Sequence, residues 1–221
     1  MVLSGSRGAG AFVTDRSDFD VFLVTRKPDD RWSFVYGSAV EIVAMTLDWF
    51  ETYALPGSRA AWNRPAFLFA KVEIDRLDGQ IARLVEAKRR LAPDEAKTLA
   101  AESLDGYINA LFRSLANLEA GRDLEGRLDA AETIPPLLTT AFALESRVRP
   151  FNKWLRHDLD REPLAIEGLV DRVDRIRGDA DPDDQRAMFR DMERRARAAG
   201  HGAVVDGWEP NVGWLRGEIR E

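Results

Sequence analysis

Asp18 and Asp20 stand two residues apart, directly ahead of the apolar run Val21-Phe22-Leu23-Val24. This arrangement restricts the fold, because it sets two carboxylates at the mouth of a strand. Residues two apart on an extended chain project to the same side. Asp18 and Asp20 are therefore expected on one face, with Phe19 and Val21 turned into the core. Adjacent carboxylates repel each other and resist desolvation unless a cation stands between them. Mg²⁺ suits that position, since it takes hard oxygen ligands from one or two carboxylates together with phosphate oxygens and water. Upstream, Gly5-Ser6 reads as a turn whose glycine lets the backbone approach a phosphate, with N–H groups and the Ser6 hydroxyl donating to its oxygens. Glycine-serine turns and Asp-x-Asp loops are each common. Their pairing ahead of a strand is what points to a metal–nucleotide site.

The bulk properties narrow the class. A chain of 221 residues, 45% hydrophobic and 32% charged, can bury a core in one large domain or two small ones. The formal net charge of −6 argues against a nucleic-acid surface and suits a cationic small molecule better. Without cysteine there is no disulfide or thiolate chemistry. No apolar stretch approaches the roughly 18 residues that span a bilayer, and no signal-peptide pattern opens the chain. The expectation is a cytoplasmic protein without membrane contact.

Strand and helix signals alternate up to residue 92. Phe19 to Thr25 is expected as a strand, Lys27 to Arg31 as a polar turn, and Phe34 to Met45 as a hairpin turning near Gly37-Ser38. Thr46 can cap a short helix from Leu47 to Tyr53. Phe67 to Ile74 reads as a third strand and Ile81 to Leu91 as an amphipathic helix. Beyond Pro93 the strand signals stop. Ala96 to Leu118 repeats large apolar residues every three or four positions, and Leu128 to Val148 is a second helix, kinked or broken at Pro135-Pro136. Phe151 to Leu159, Ile166 to Arg177 and Asp183 to Ala198 complete a bundle, and Gly200 to Gly217 is expected mostly as loop. The predicted fold class is mixed α and β: a small mixed sheet with flanking helices over residues 1–92, then an all-α bundle over 93–221.

Gly5-Ser6 followed by Asp18-x-Asp20 at the head of a strand resembles the signature of the polymerase-β-like nucleotidyltransferase superfamily. Gly5-Ser6-Arg7-Gly8 is similar to its small bacterial branches, the aminoglycoside-type and minimal nucleotidyltransferases. The family carries a third carboxylate on a later strand, and Ala39-Val40-Glu41-Ile42-Val43-Ala44-Met45 fits that form with glutamate in place of the commoner aspartate. The resemblance covers residues 4 to 45. It implies Asp18, Asp20 and Glu41 as catalytic metal ligands, with Gly5, Ser6 and Arg7 on the nucleotide. Mg²⁺ would be the cofactor and ATP the nucleotide donor. Members usually place a helix and part of a strand before the Gly-Ser turn; here Met1-Val2-Leu3-Ser4 precede it. Sheet first and helical bundle second is also the order in antibiotic-modifying members, where the helical part helps hold the acceptor.

Two further residues are candidates. Lys153, among Arg147, Arg149 and Arg156 beside Phe151 and Trp154, could line a cationic wall for the triphosphate, or simply lie on a solvated helix face. Glu132, in a small and apolar context, could serve as general base toward an acceptor hydroxyl, although most helical glutamates are merely exposed. His157 and His201, far apart and without cysteine, do not make a zinc site. The expected activity is Mg²⁺-dependent transfer of AMP from ATP to a hydroxyl of a small molecule of the aminoglycoside or lincosamide kind. A protein acceptor, as in antitoxin-type adenylyltransferases, and a non-catalytic nucleotide-binding module are the alternatives. Nucleotide choice, acceptor identity and homodimer formation are left open.

Overall fold

The apolar run after Asp20 becomes the central strand of a five-stranded sheet. The computed structural model describes residues 1–32, 35–37 and 39–218. The strands are β1 (Val2–Ser4), β2 (Phe19–Thr25), β3 (Val35–Tyr36), β4 (Val40–Thr46) and β5 (Lys71–Val72). They lie in the order β3-β4-β2-β1-β5. β2 and β4 are parallel, in a register that sets Asp20 beside Glu41 and Phe22 beside Val43. β1 joins β2 antiparallel, with Ser4 opposite Asp20 and Val2 opposite Phe22. Strand and helix content together make this a mixed α and β protein.

One face of the sheet is covered. Val2, Phe22 and Met45 are buried there against Phe50 and Tyr53 from α2 (Leu47–Thr52) and its end, Phe67, and Ile81 and Val85 of α3 (Gln80–Arg89). Phe22 stacks on Phe67 at 5.0 Å and meets Tyr53 edge-on at 5.5 Å. Burying one such ring contributes roughly 1.5–3 kcal/mol. Thr46 caps α2, its hydroxyl accepting from the Trp49 N–H.

Several expectations are corrected here. The hairpin has a two-residue first arm, Val35–Tyr36, antiparallel to β4; Phe34 and Ser38, on which the expectation also fell, lie outside the described residues. Of the strand expected over Phe67 to Ile74, only Lys71–Val72 (β5) is strand; Phe67 ends a 3-10 helix, Ala61–Phe67, and a turn lies between. Pro65 lies inside that helix, and Phe67 and Ala70 reach the core from it and the turn that follows rather than from a pleated ladder. Phe19 also departs from expectation. It is 41% exposed, because the covered face belongs to Phe22 and Val24, the alternate set of a strand that is apolar on both sides.

By contacts, the chain falls into one unit of Met1–Leu91 with Pro150–Asn152 and a second of Ala92–Arg149 with Lys153–Glu221. The second unit is helical. α4 (Pro93–Glu119) and α5 (Asp123–Ala143) form a hairpin, tied where the Ser114 hydroxyl donates to the Gly126 carbonyl at 2.9 Å. α5 runs through Pro135 and Pro136 as one helix, with the Thr139 and Thr140 hydroxyls donating to the two proline carbonyls at 2.9 Å. α6 (Leu155–Arg161), α7 (Leu169–Asp179) and α8 (Pro182–Ala198) follow. The glycine-rich end is not mostly loop. It forms α9 (Gly202–Asp206) and α10 (Val212–Arg216), because Val205, Val212 and Leu215 are wholly buried.

The first unit also buries a charge. Lys88 on α3 is 1% exposed, its Nζ donating to the Glu51 carbonyl at 3.1 Å and lying 5.0 Å from the centroid of the Phe50 ring. Burial, aided by the Arg64 guanidinium, lowers its pKa from 10.5 to about 8. The unfolded chain therefore holds that proton more tightly, and stability should rise with pH between those two values. The thermal midpoint of the native protein should accordingly gain on that of Lys88→Met as pH is raised from about 7 to about 10. A constant offset between the two would show that the ammonium carries no desolvation cost.

Candidate metal centre

Asp20 and Glu41 face each other because β2 and β4 run parallel in that register. The Phe19 N–H donates to the Ala39 carbonyl at 2.9 Å, closing the ladder at its start and holding residues 18–20 alongside β4. Asp18 lies just before the strand. Each of Asp18, Asp20 and Glu41 offers a carboxylate oxygen within 4.8 Å of the others, and all three residues are partly buried. This is the one such cluster among the described residues. Unit charges at this spacing or closer repel each other by about 3 kcal/mol or more per pair at an effective dielectric near 20. Among the described residues, no hydrogen bond or ion pair engages the side-chain carboxylate of Asp18 or of Glu41. A hard divalent cation fits this donor set, which holds only oxygen ligands.

Gly5 completes the corner. It begins α1 (Gly5–Ala9) with φ +65°, and a Cβ built on it would fall 1.7 Å from Asp20 Oδ2. The space a side chain would fill is therefore occupied by the carboxylate of Asp20. Gly8 plays a related part, since a Cβ there would lie 2.6 Å from the Leu3 carbonyl oxygen, so only glycine lets α1 approach β1 this closely. Ser4, opposite Asp20, is buried. Ser6 is the second residue of α1, and its carbonyl accepts from the Ala11 N–H at 3.2 Å.

The remaining candidates have partners of their own. Arg7, assigned to the nucleotide by resemblance, donates through both Nε and Nη2 to the Ser17 carbonyl, at 3.0 and 2.9 Å. Its guanidinium lies 4.3 Å from the centroid of the Phe19 ring. Glu132 is on the exposed side of α5, in the second unit, and accepts from Arg113 Nη2 at 2.6 Å. Lys153 is exposed in the 3-10 turn Asn152–Trp154, with Nζ 4.9 Å from the centroid of the Trp154 ring. Sequence reasoning missed the contact of Arg7 with Ser17 and Phe19 and the Gly5–Asp20 fit, which couple residues ten or more apart through conformations that no spacing announces.

No protein-family model, curated protein or solved structure matches this chain. What the cluster can do is therefore a matter of its own chemistry.

Gly5→Ala, the smallest side chain that can be added, should displace the Asp20 carboxylate and weaken Mn²⁺ binding by about ten- to a hundredfold. Titration of the free Mn²⁺ resonance by electron paramagnetic resonance measures this. An affinity equal to the native one would remove Asp20 from the ligand set.

Proposed function

We propose that the first unit is a Mg²⁺-dependent nucleotidyltransferase, transferring AMP from ATP to a hydroxyl of a small-molecule acceptor. The observation that carries this reading is the convergence of Asp18, Asp20 and Glu41 within 4.8 Å, with Gly5 in a left-handed turn against Asp20. Such a cluster would hold the divalent ions that nucleoside triphosphates already carry as counterions. When bound, the ions supply acidity to the attacking hydroxyl and neutralise charge on the departing pyrophosphate. The chain's own part is positional. β2 and β4 fix the spacing of Asp20 and Glu41, and the Gly5 turn brings its backbone next to Asp20. The acidic surface, at net charge −6, favours a cationic acceptor over a polyanion.

Pyrophosphate release measured with each of the four nucleoside triphosphates, followed by an acceptor screen, tests the reading. ATP should give Mg²⁺-dependent release, and Asp20→Asn should lower it by at least roughly a thousandfold, since each ~1.4 kcal/mol of lost stabilisation is a factor of ten. The far-ultraviolet circular dichroism should be unchanged. Undiminished turnover by Asp20→Asn would falsify the assignment.

A further inference from the structure

We infer that Arg7 is the positioning residue of the carboxylate cluster, an inference that rests on the metal-site reading above. Asp20 and Glu41 are held by strand pairing, but Asp18 lies outside the strands. The segment that delivers Asp18 is exposed: residues 12–16 all lie at the surface, with Phe12 at φ +56° and 53% exposed. A turn in which the Thr14 N–H donates to the Ser17 hydroxyl at 2.9 Å orders the segment locally, without attaching it to the sheet. Beyond the Phe19 to Ala39 bond at the start of β2, Arg7 adds an attachment at residue 17. Nε and Nη2 converge on the carbonyl of Ser17, the residue before Asp18, and the guanidinium carbon lies over the ring of Phe19, the residue after it, 4.3 Å from its centroid. One side chain thus grips both neighbours of the carboxylate.

The grip originates from a fixed base. α1 carries Arg7 two residues beyond Gly5, whose bare Cα abuts Asp20, and one residue before Gly8, which packs on the Leu3 carbonyl. The same short helix therefore sets the position of Asp20 by contact and of Asp18 by reach. A forked guanidinium can direct two donors at one carbonyl while its carbon stays over an aromatic ring; a lysine ammonium, a compact point charge, lacks that fork. Through Nε and Nη2 on the Ser17 carbonyl, Arg7 acts on the position of Asp18.

The test compares the native protein with Arg7→Met and Arg7→Lys, which leave all three carboxylates in place. Mn²⁺ affinity is read by electron paramagnetic resonance, amide hydrogen exchange over residues 14–18 by mass spectrometry, and stability by thermal unfolding. Both variants should bind Mn²⁺ roughly tenfold more weakly, the order expected when one or two residues must be re-ordered on binding. Exchange over 14–18 should accelerate while the unfolding midpoint stays within a few degrees of native, a combination that a merely structural role would not produce. If Arg7→Met fails to fold, Phe19→Leu, which removes the ring and keeps both bonds to Ser17, should show a smaller loss of affinity in the same direction. Native affinity in the folded Arg7 variants would overturn the inference and leave the metal site standing. Absence of Mn²⁺ binding by the native protein would instead overturn the metal-site reading, and the inference with it.

Discussion

The parallel register of β2 and β4 is the constraint from which the rest of the first unit follows. Side chains alternate along a strand, so a slip of one residue would turn Glu41 to the opposite face and put Val40 or Ile42 beside Asp20. The register is held from both ends. Phe22, Val24, Val43 and Met45 must meet the same covered face, and the Phe19 N–H must find the Ala39 carbonyl. Parallel neighbours need a connection of a dozen or more residues. Residues 26–39 supply it, and they include β3, which pairs with the far side of β4. Packing at one end of the strands thereby fixes chemistry at the other.

The second unit solves a different problem, that of joining helices whose surfaces are dense with charge. Glu193 on α8 is 5% exposed and accepts from Arg197 Nε at 2.8 Å and Arg216 Nε at 2.7 Å, so α10 closes on α8 through a shared carboxylate. The two guanidiniums hold the carboxyl of Glu193 below the usual range. Arg147 and Asp158 form another partly buried pair, at 2.5 Å, with the Arg147 guanidinium 5.0 Å from the centroid of the Phe142 ring. A buried ion pair adds little net stability over an apolar contact, whereas breaking one side of it is costly. Glu193 thereby links α8 to α10, and Asp158 links α6 to the segment that follows α5.

Much of this was legible in the amino-acid order. The strand after Asp20, the Thr46 cap, the long helices and the position of Glu41 on a strand all follow from local pattern, because each is set by neighbours within one or two turns. What escaped prediction depended on distant partners. Val2–Ser4 gave no strand signal, yet it is the strand between β2 and β5, ordered by ladders on both sides. The C-terminal helices are too short to show a period, and they exist because Val205, Val212 and Leu215 have a bundle to enter. The wrong face was assigned to Phe19 because Val21, Phe22, Leu23 and Val24 are all apolar, so alternation could not choose between the sides. At the site, the types of the three acids were readable, but the fit of Gly5 against Asp20 was not. The volume that a side chain at 5 would take is given over to the Asp20 carboxylate.

That exchange of volume has a consequence for how such a chain can diverge. Positions 5 and 20 share one small space. A larger residue at 5 becomes admissible only in a background where 20 has already been shortened, and by then the acid is gone. The coupling runs one way: position 5 is closed to any side chain by steric exclusion while the acid stands at 20, whereas a loss of the acid meets no such barrier and is left to selection on activity.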